Sequence, residues 1–187
     1  MNILGYIKKQ FFCRIGKKIR ENTLGKNHPH YSFSCNNLAR IYLMQGAYHE
    51  SEKLYLEAID LIKKNLGENH PYYAKSFINL SEVYIHQGNY KKSESLLKKA
   101  LEIIARVLGE EHPDYLNVYG HLAGVYGEQG LYFLAHPLFI ELQKRTPKSS
   151  SNYPLVCLNL AASYYQLEDY QKSELFTREG MNLVEKE

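Results

Sequence analysis

The chain has no tryptophan and only three cysteines, Cys13, Cys35 and Cys157, in 187 residues. Thiols this few and scattered, with no Cys-x-x-Cys pair, form neither a disulfide framework nor a zinc cage. No uninterrupted apolar run approaches the roughly 18 residues that a membrane-spanning helix needs. Lys8, Lys9 and Arg14 interrupt the apolar stretch near the start, so the uncharged core of a secretory signal is missing. Metalloprotease HExxH, phosphate-loop GxxxxGKS and GxSxG nucleophile motifs are also missing. These absences predict a reducing, cytoplasmic compartment and a protein that is not an enzyme, with no cofactor and no metal. With 44% hydrophobic and 23% charged residues, the composition is nonetheless that of an ordinary folded chain.

What the chain does have is 17 tyrosines, and they are in register. The string Leu24-Gly25-Lys26-Asn27-His28-Pro29 returns as Leu66-Gly67-Glu68-Asn69-His70-Pro71 and as Leu108-Gly109-Glu110-Glu111-His112-Pro113, 42 residues apart each time. Residues 24–65 and 66–107 align without a gap and share 18 of 42 positions. A fourth copy follows at a spacing of 38, anchored by Leu158-Asn159-Leu160-Ala161 and Tyr164, without the lead-in. The tyrosines then form three columns: Tyr31, Tyr73, Tyr115 and Tyr153; Tyr42, Tyr84, Tyr126 and Tyr164; Tyr48, Tyr90, Tyr132 and Tyr170. A ring stripe in phase with a repeat is packing, each ring adding apolar area while its hydroxyl reaches a polar partner.

Each repeat reads as two helices. Pro29 and Pro71 suit a first helical position, where the missing N–H has no intrahelical partner. Leu38, Ile41 and Tyr42 continue at helical spacing, and Gly46, Gly88 and Gly130 can take the left-handed conformation that closes a helix. A second helix starts near Tyr48 and carries Leu54, Ala58, Ile59 and Ile62 on one face. Ala58 and Ala100 are small where helices must approach. The predicted fold is all-α, a right-handed α-solenoid of stacked antiparallel helix pairs. Its parts are a basic amphipathic helix at 1–23, full repeats at 24–65, 66–107 and 108–149, and a divergent one at 150–187, together one domain.

The Leu-Gly-x-x-His-Pro lead-ins, Asn36-Asn37-Leu38-Ala39, Gln45-Gly46-Ala47-Tyr48 and Ser51-Glu52-Lys53-Leu54-Tyr55 resemble the tetratricopeptide repeat, in the 42-residue variety of kinesin light chains and nephrocystin-like proteins. Pro137 also matches a proline common in the second helix of that variety. The resemblance spans 24–187 and implies a non-enzymatic scaffold that holds a partner's linear segment in a concave groove lined by the first helices. Asparagines there hold bound peptides in the family, and the resemblance carries that role to Asn37, Asn79 and Asn159, with His121 departing from the column.

By register the groove residues are Phe33, Asn36, Asn37 and Arg40; then Lys75, Ile78, Asn79 and Glu82; then Asn117, Gly120, His121 and Gly124; then Leu155, Leu158, Asn159 and Ala162. A carboxamide donates and accepts, which suits an extended peptide backbone; bridging between neighbouring helices is the structural alternative. Arg40 and Lys75 are the only cations in the set, so an acidic or aromatic linear motif is the expected partner. Nucleic acid is not. His28, His70 and His112, at one repeat position and a repeat apart, read as caps and not as ligands of one ion. Cys35 and Cys157 share a position predicted to be core.

Two further expectations concern the ends and the third repeat. Residues 1–23 hold six Lys or Arg against one Glu, and Ile3, Ile7, Phe11, Ile15 and Ile19 recur every four residues. Shifted by 42, Tyr6 falls under Tyr48 and Phe12 under Leu54, which suggests half a repeat. Such a helix packs its apolar side on the next repeat, or lies on an anionic membrane surface through residues 1–22 as a membrane-tethered or targeted adaptor. Phe11, Phe12, Ile15 and Ile19 at one end, and Phe176, Gly180 and Val184 at the other, are expected to face outward and drive self-association. Lys144, Arg145 and Lys148 read as part of a solvated linker. Gly120, Gly124 and Gly127 lie on one helix face, which predicts a close approach by a ligand or neighbouring chain, or else plain sequence drift.

Overall fold

The computed structural model describes the backbone of residues 3–184 and the side chains of 8–183. Among the described residues all regular structure is helical: α1 (Ile3–Leu24), α2 (Pro29–Met44), α3 (Tyr48–Leu66), α4 (Pro71–His86), α5 (Tyr90–Leu108), α6 (Pro113–Glu128), α7 (Tyr132–Arg145), α8 (Tyr153–Gln166) and α9 (Tyr170–Val184). They form two compact units, Met1–Val107 and Leu108–Glu187.

The helix boundaries follow from the recurrent lead-in. Pro29, Pro71 and Pro113 open α2, α4 and α6, and the histidine before each is the cap. The Nδ1 atoms of His28, His70 and His112 accept the backbone N–H of His30, Tyr72 and Asp114 at 3.2, 3.2 and 3.1 Å. Each ring thereby satisfies one of the N–H groups that a helix start leaves open. At the other end, the N–H groups of Ala47, Asn89, Leu131 and Asp169 reach back to the carbonyls of Tyr42, Tyr84, Tyr126 and Tyr164 at 2.9, 2.8, 2.9 and 3.0 Å. This closure needs a positive φ one residue earlier. Gly46, Gly88 and Gly130 supply it, at 74°, 70° and 70°, whereas the fourth repeat uses Glu168 at 63°.

In the first unit α1 packs on α2, α2 on α3 and α3 on α4, with α2 also touching α4. Tyr31, Cys35 and Ala58 form a sealed cluster, with Leu54 and Leu61 against it. Small residues set the approach of paired helices: Ala39, Ala58, Ala74 and Ala100 are all fully buried. Buried Ser51 donates to the Ala39 carbonyl at 2.8 Å, tying α3 to α2 without leaving a polar group unsatisfied. In the second unit α6 packs on α7, α7 on α8 and α8 on α9. Ala123, Ala135, Phe139, Leu142 and Leu160 are its core. Cys35 and Cys157 are both completely buried free thiols, as their shared position predicts, and burial pushes Cys35 up to about 12.

Three expectations need correction. First, of the two readings of α1, packing of the apolar side on the next repeat is not what the described residues show, while the outward placing of Phe11, Phe12, Ile15 and Ile19 is. The inner contacts of α1 are polar: Lys17 donates to Glu57 of α3 at 3.1 Å and Arg20 to Ser34 of α2 at 2.7 Å. Phe11, Phe12, Ile15 and Ile19 are exposed; the side chains of Ile3, Tyr6 and Ile7 lie outside the described residues. The reason is a triad built around the buried Tyr31, with Lys17 and Glu57 partly exposed beside it. Tyr31 donates to Glu57 at 2.9 Å, and the Lys17 ammonium sits 5.1 Å from the Tyr31 ring centre. Burial acts to lower Lys17, but hydrogen bonds with Tyr31 and Glu57 outweigh it and hold the ammonium above its usual value.

Second, Phe176 and Gly180 face back and not out. The Phe176 ring stacks on Tyr164 of α8 at 5.6 Å. A Cβ at Gly180 would lie 3.1 Å from the Pro154 carbonyl oxygen and 3.3 Å from Cys157 Cβ. The Val184 side chain lies outside the described residues. The exposed apolar groups at this end include Leu158 and Met181, in register with Ile78 and Ile59, which are buried. Third, the segment after α7 is more than a solvated linker. Lys148 pairs with Glu179 at 2.7 Å, and Arg145 bonds the Glu110 carbonyl and Glu111.

Candidate partner-binding face

The candidate residues divide between the two units, and each set lies on first helices. In the first unit Asn37 and Arg40 of α2 and Lys75 of α4 are exposed, and Asn79 is half-buried. Because α2 and α4 touch, Asn37 and Asn79 occupy the same register on adjoining helices. Neither Arg40 nor Lys75 has an ion-pair partner among the described residues. The two neighbours in the set are displaced inward. Ile78 is buried. Asn36 is half-buried, its Oδ1 shielded from solvent and without a hydrogen-bond partner, so its carbonyl is not offered to a ligand in solvent.

Two features of this face are absent from the sequence reading. Burial, then the charge of Glu82, raise the Tyr55 hydroxyl well above its usual value, while Arg40 pulls the other way. Phe33 of α2 meets exposed Tyr72 of α4 edge-on at 5.2 Å, and His30 approaches Phe33 at 6.0 Å. The signal for the aromatic edge is Phe33 standing one helical turn before Asn36-Asn37, but pairing with Tyr72 requires knowing how α2 and α4 adjoin.

In the second unit Asn117 of α6 is exposed, and Gly120, His121 and Gly124 are half-buried. On α8, Leu155, Leu158, Asn159 and Ala162 are all exposed. A Cβ at Gly120 would meet Leu142 at an ordinary 3.7 Å, and at Gly124 or Gly127 it would meet nothing within 4 Å. No described part of the chain approaches these two glycines, so the expected close contact is not made by the protein itself. Among the described residues no group of three or more His, Cys, Asp or Glu side chains could hold a metal ion, and no helix is long and apolar enough to cross a membrane.

The tetratricopeptide repeat model matches residues 31–103 and again 78–142, more than half of the chain. The chain belongs to the tetratricopeptide repeat family. Solved structures carry the same fold over almost its whole length. BtubC (BKLC) from P. vanneervenii superposes with a TM-score of 0.82 at 20% identity, over 96% of this chain and 73% of that one. A kinesin light chain-like protein of Podospora anserina, with nearly identical TPR-like repeats, gives 0.76 at 24% identity over 97% and 88%. A point variant of that protein gives 0.78 at 23% identity over 97% and 87%. No curated protein matches the chain significantly. At these identities the tetratricopeptide likeness speaks for the fold.

Proposed function

We propose that this tetratricopeptide protein is a non-enzymatic scaffold that binds an extended acidic or aromatic segment of a partner along its first helices. The observation that carries the reading is the pair of carboxamides, Asn37 and Asn79, in one register on adjoining α2 and α4. An extended peptide presents a donor and an acceptor at regular intervals, and a carboxamide answers both. Arg40 and Lys75 beside them are exposed cations without an ion-pair partner among the described residues, which favours a carboxylate. The Phe33–Tyr72 edge favours an aromatic or aliphatic side chain. The second unit carries a polar set of its own, Asn117, His121 and Asn159, with Leu155 and Leu158 supplying apolar area. Membership of a family built as an interaction scaffold supports protein partners in general.

An array of acidic and aromatic linear peptides is the direct screen. Replacing Asn37 and Asn79 together by alanine should weaken the best binder about 30-fold, since each net hydrogen bond is worth about 1 kcal/mol. Helix content should not change. Unchanged binding by the double variant would make the column a bridge between helices.

A further inference from the structure

The outer side of α1 carries a feature that the groove reading does not use. Phe11, Phe12, Ile15 and Ile19 fall on one helical stripe, and they are 60, 68, 39 and 55% exposed. The two phenylalanine rings meet edge-on at 6.0 Å and touch no other described ring. Together the four side chains present on the order of 400 Å2 of apolar surface, within the range where such a patch marks an interaction site.

The six cations of α1 divide around this stripe. Lys17 and Arg20 turn inward, onto Glu57 and Ser34. Lys8, Lys9, Arg14 and Lys18 are exposed, and none has a hydrogen-bond or ion-pair partner among the described residues. By helical register Lys8 falls within the stripe, Arg14 and Lys18 along one flank and Lys9 along the other. Arg14 and Lys18 also line an open cavity of about 610 Å3 to which α3 contributes Lys53, Glu50 and Glu57, so the basic character belongs to α1 and the charge on α3 is mixed. Of the carboxylates lining that cavity, Glu21 and Glu57 are paired with Lys26 and Lys17, and exposed Glu50 is the third.

We propose that α1 is an in-plane membrane anchor, its stripe entering the interface of a bilayer that contains anionic lipid. Long basic side chains beside an apolar stripe can lay their stems along it and raise their charges to the headgroups. The arrangement fits a second copy poorly. Pairing two such stripes would gather eight unneutralised cations along one seam, where like charges repel. It also fits nucleic acid poorly, because the centre of the face is hydrocarbon. Lipid answers both halves, with acyl chains for the rings and anionic headgroups for the four cations.

The missing tryptophan makes the test simple. Phe12→Trp puts a single indole in the full chain. Its emission should shift to the blue with phosphatidylcholine vesicles containing phosphatidylserine and stay fixed with phosphatidylcholine alone. The wild-type chain should float with the anionic vesicles only. Arg14→Gln with Lys18→Gln should weaken binding about 25-fold, since a surface cation is worth about fivefold against an anionic membrane. Phe11→Ser with Phe12→Ser should abolish flotation at unchanged helix content, because neither ring is buried. No flotation of the wild type, or equal binding to neutral vesicles, would overturn the proposal. So would a dimer in sedimentation that Phe12→Ser splits. None of these variants touches Asn37 or Asn79, so the groove reading stands or falls separately.

Discussion

Gly124 and Gly180 are both interior helix glycines of the second unit, yet alanine should act on them with opposite sign. Alanine is favoured over glycine in a helix by about 1 kcal/mol, because glycine loses more backbone freedom on folding. At Gly124 the new methyl meets nothing within 4 Å, so Gly124→Ala should keep that full gain. At Gly180 the same methyl would lie 3.1 Å from the Pro154 carbonyl oxygen and 3.3 Å from both Cys157 Cβ and Leu158 Cγ. The nearest atom is backbone, in the first turn of α8, and cannot rotate away. Forcing α9 off α8 costs about 1–3 kcal/mol by overpacking, which outweighs the propensity gain. In thermal unfolding followed by circular dichroism, Gly124→Ala should raise the melting temperature by about 2–4 °C. Gly180→Ala should lower it by a similar amount. Equal rises for both variants would refute the argument that α8 and α9 are in close contact at Gly180. A rise for Gly124→Ala with partner affinity unchanged would identify the third-repeat glycines as drift, whereas lost affinity would mean that a ligand backbone passes there.

The histidine caps and the one inward-facing histidine of α7 give the remaining predictions. His70→Ala should destabilise the first unit by about 1 kcal/mol, while His70→Asn should restore that loss, since asparagine is among the strongest helix caps; chemical denaturation of the two variants separates capping from any other role. His136 hydrogen-bonds Ser163 at 2.9 Å and meets the Tyr164 ring edge-on, and burial first, then the Lys172 charge, hold it below its ordinary 6.5. The unfolded chain then binds the proton more readily, so stability should fall as pH drops below about 6.5, with a slope that His136→Gln removes.

The features that repeat were legible in the sequence. His28, His70 and His112 stand in one column before proline, and Gly46, Gly88 and Gly130 mark the turns of the first three repeats, so local chemistry sets those helix ends, whereas Glu168 in the fourth gives no such signal. What escaped depends on neighbours. The α1 stripe reads equally as a face packed on the next repeat or as an open one, because apolar periodicity marks a buried side without saying what covers it. Lys17 takes the inner side only because Glu57 and Tyr31 receive it from α3 and α2. Register likewise points Phe176 and Gly180 outward, toward a following repeat, whereas they meet α8 behind them. Asn36 and Asn37 differ by one step around α2. That step is enough to take one carbonyl out of solvent and leave the other amide on the surface.

The side-chain bonds that tie one end of a repeat to the other, or to the helix before it, also bear on how the chain leaves the ribosome. Lys17 with Glu57, Asn65 with Asn27 and Arg106 with Asn69 join residues 40, 38 and 37 positions apart, about one repeat in each case. Both partners of each link are therefore made within about 40 residues of one another. During synthesis, within each compact unit, an emerging helix finds the helix it packs on already made behind it, and it need not wait for distant sequence. Nascent chains truncated after residue 107 should therefore already hold the Lys17–Glu57 and Arg106–Asn69 links, which lie within the first compact unit.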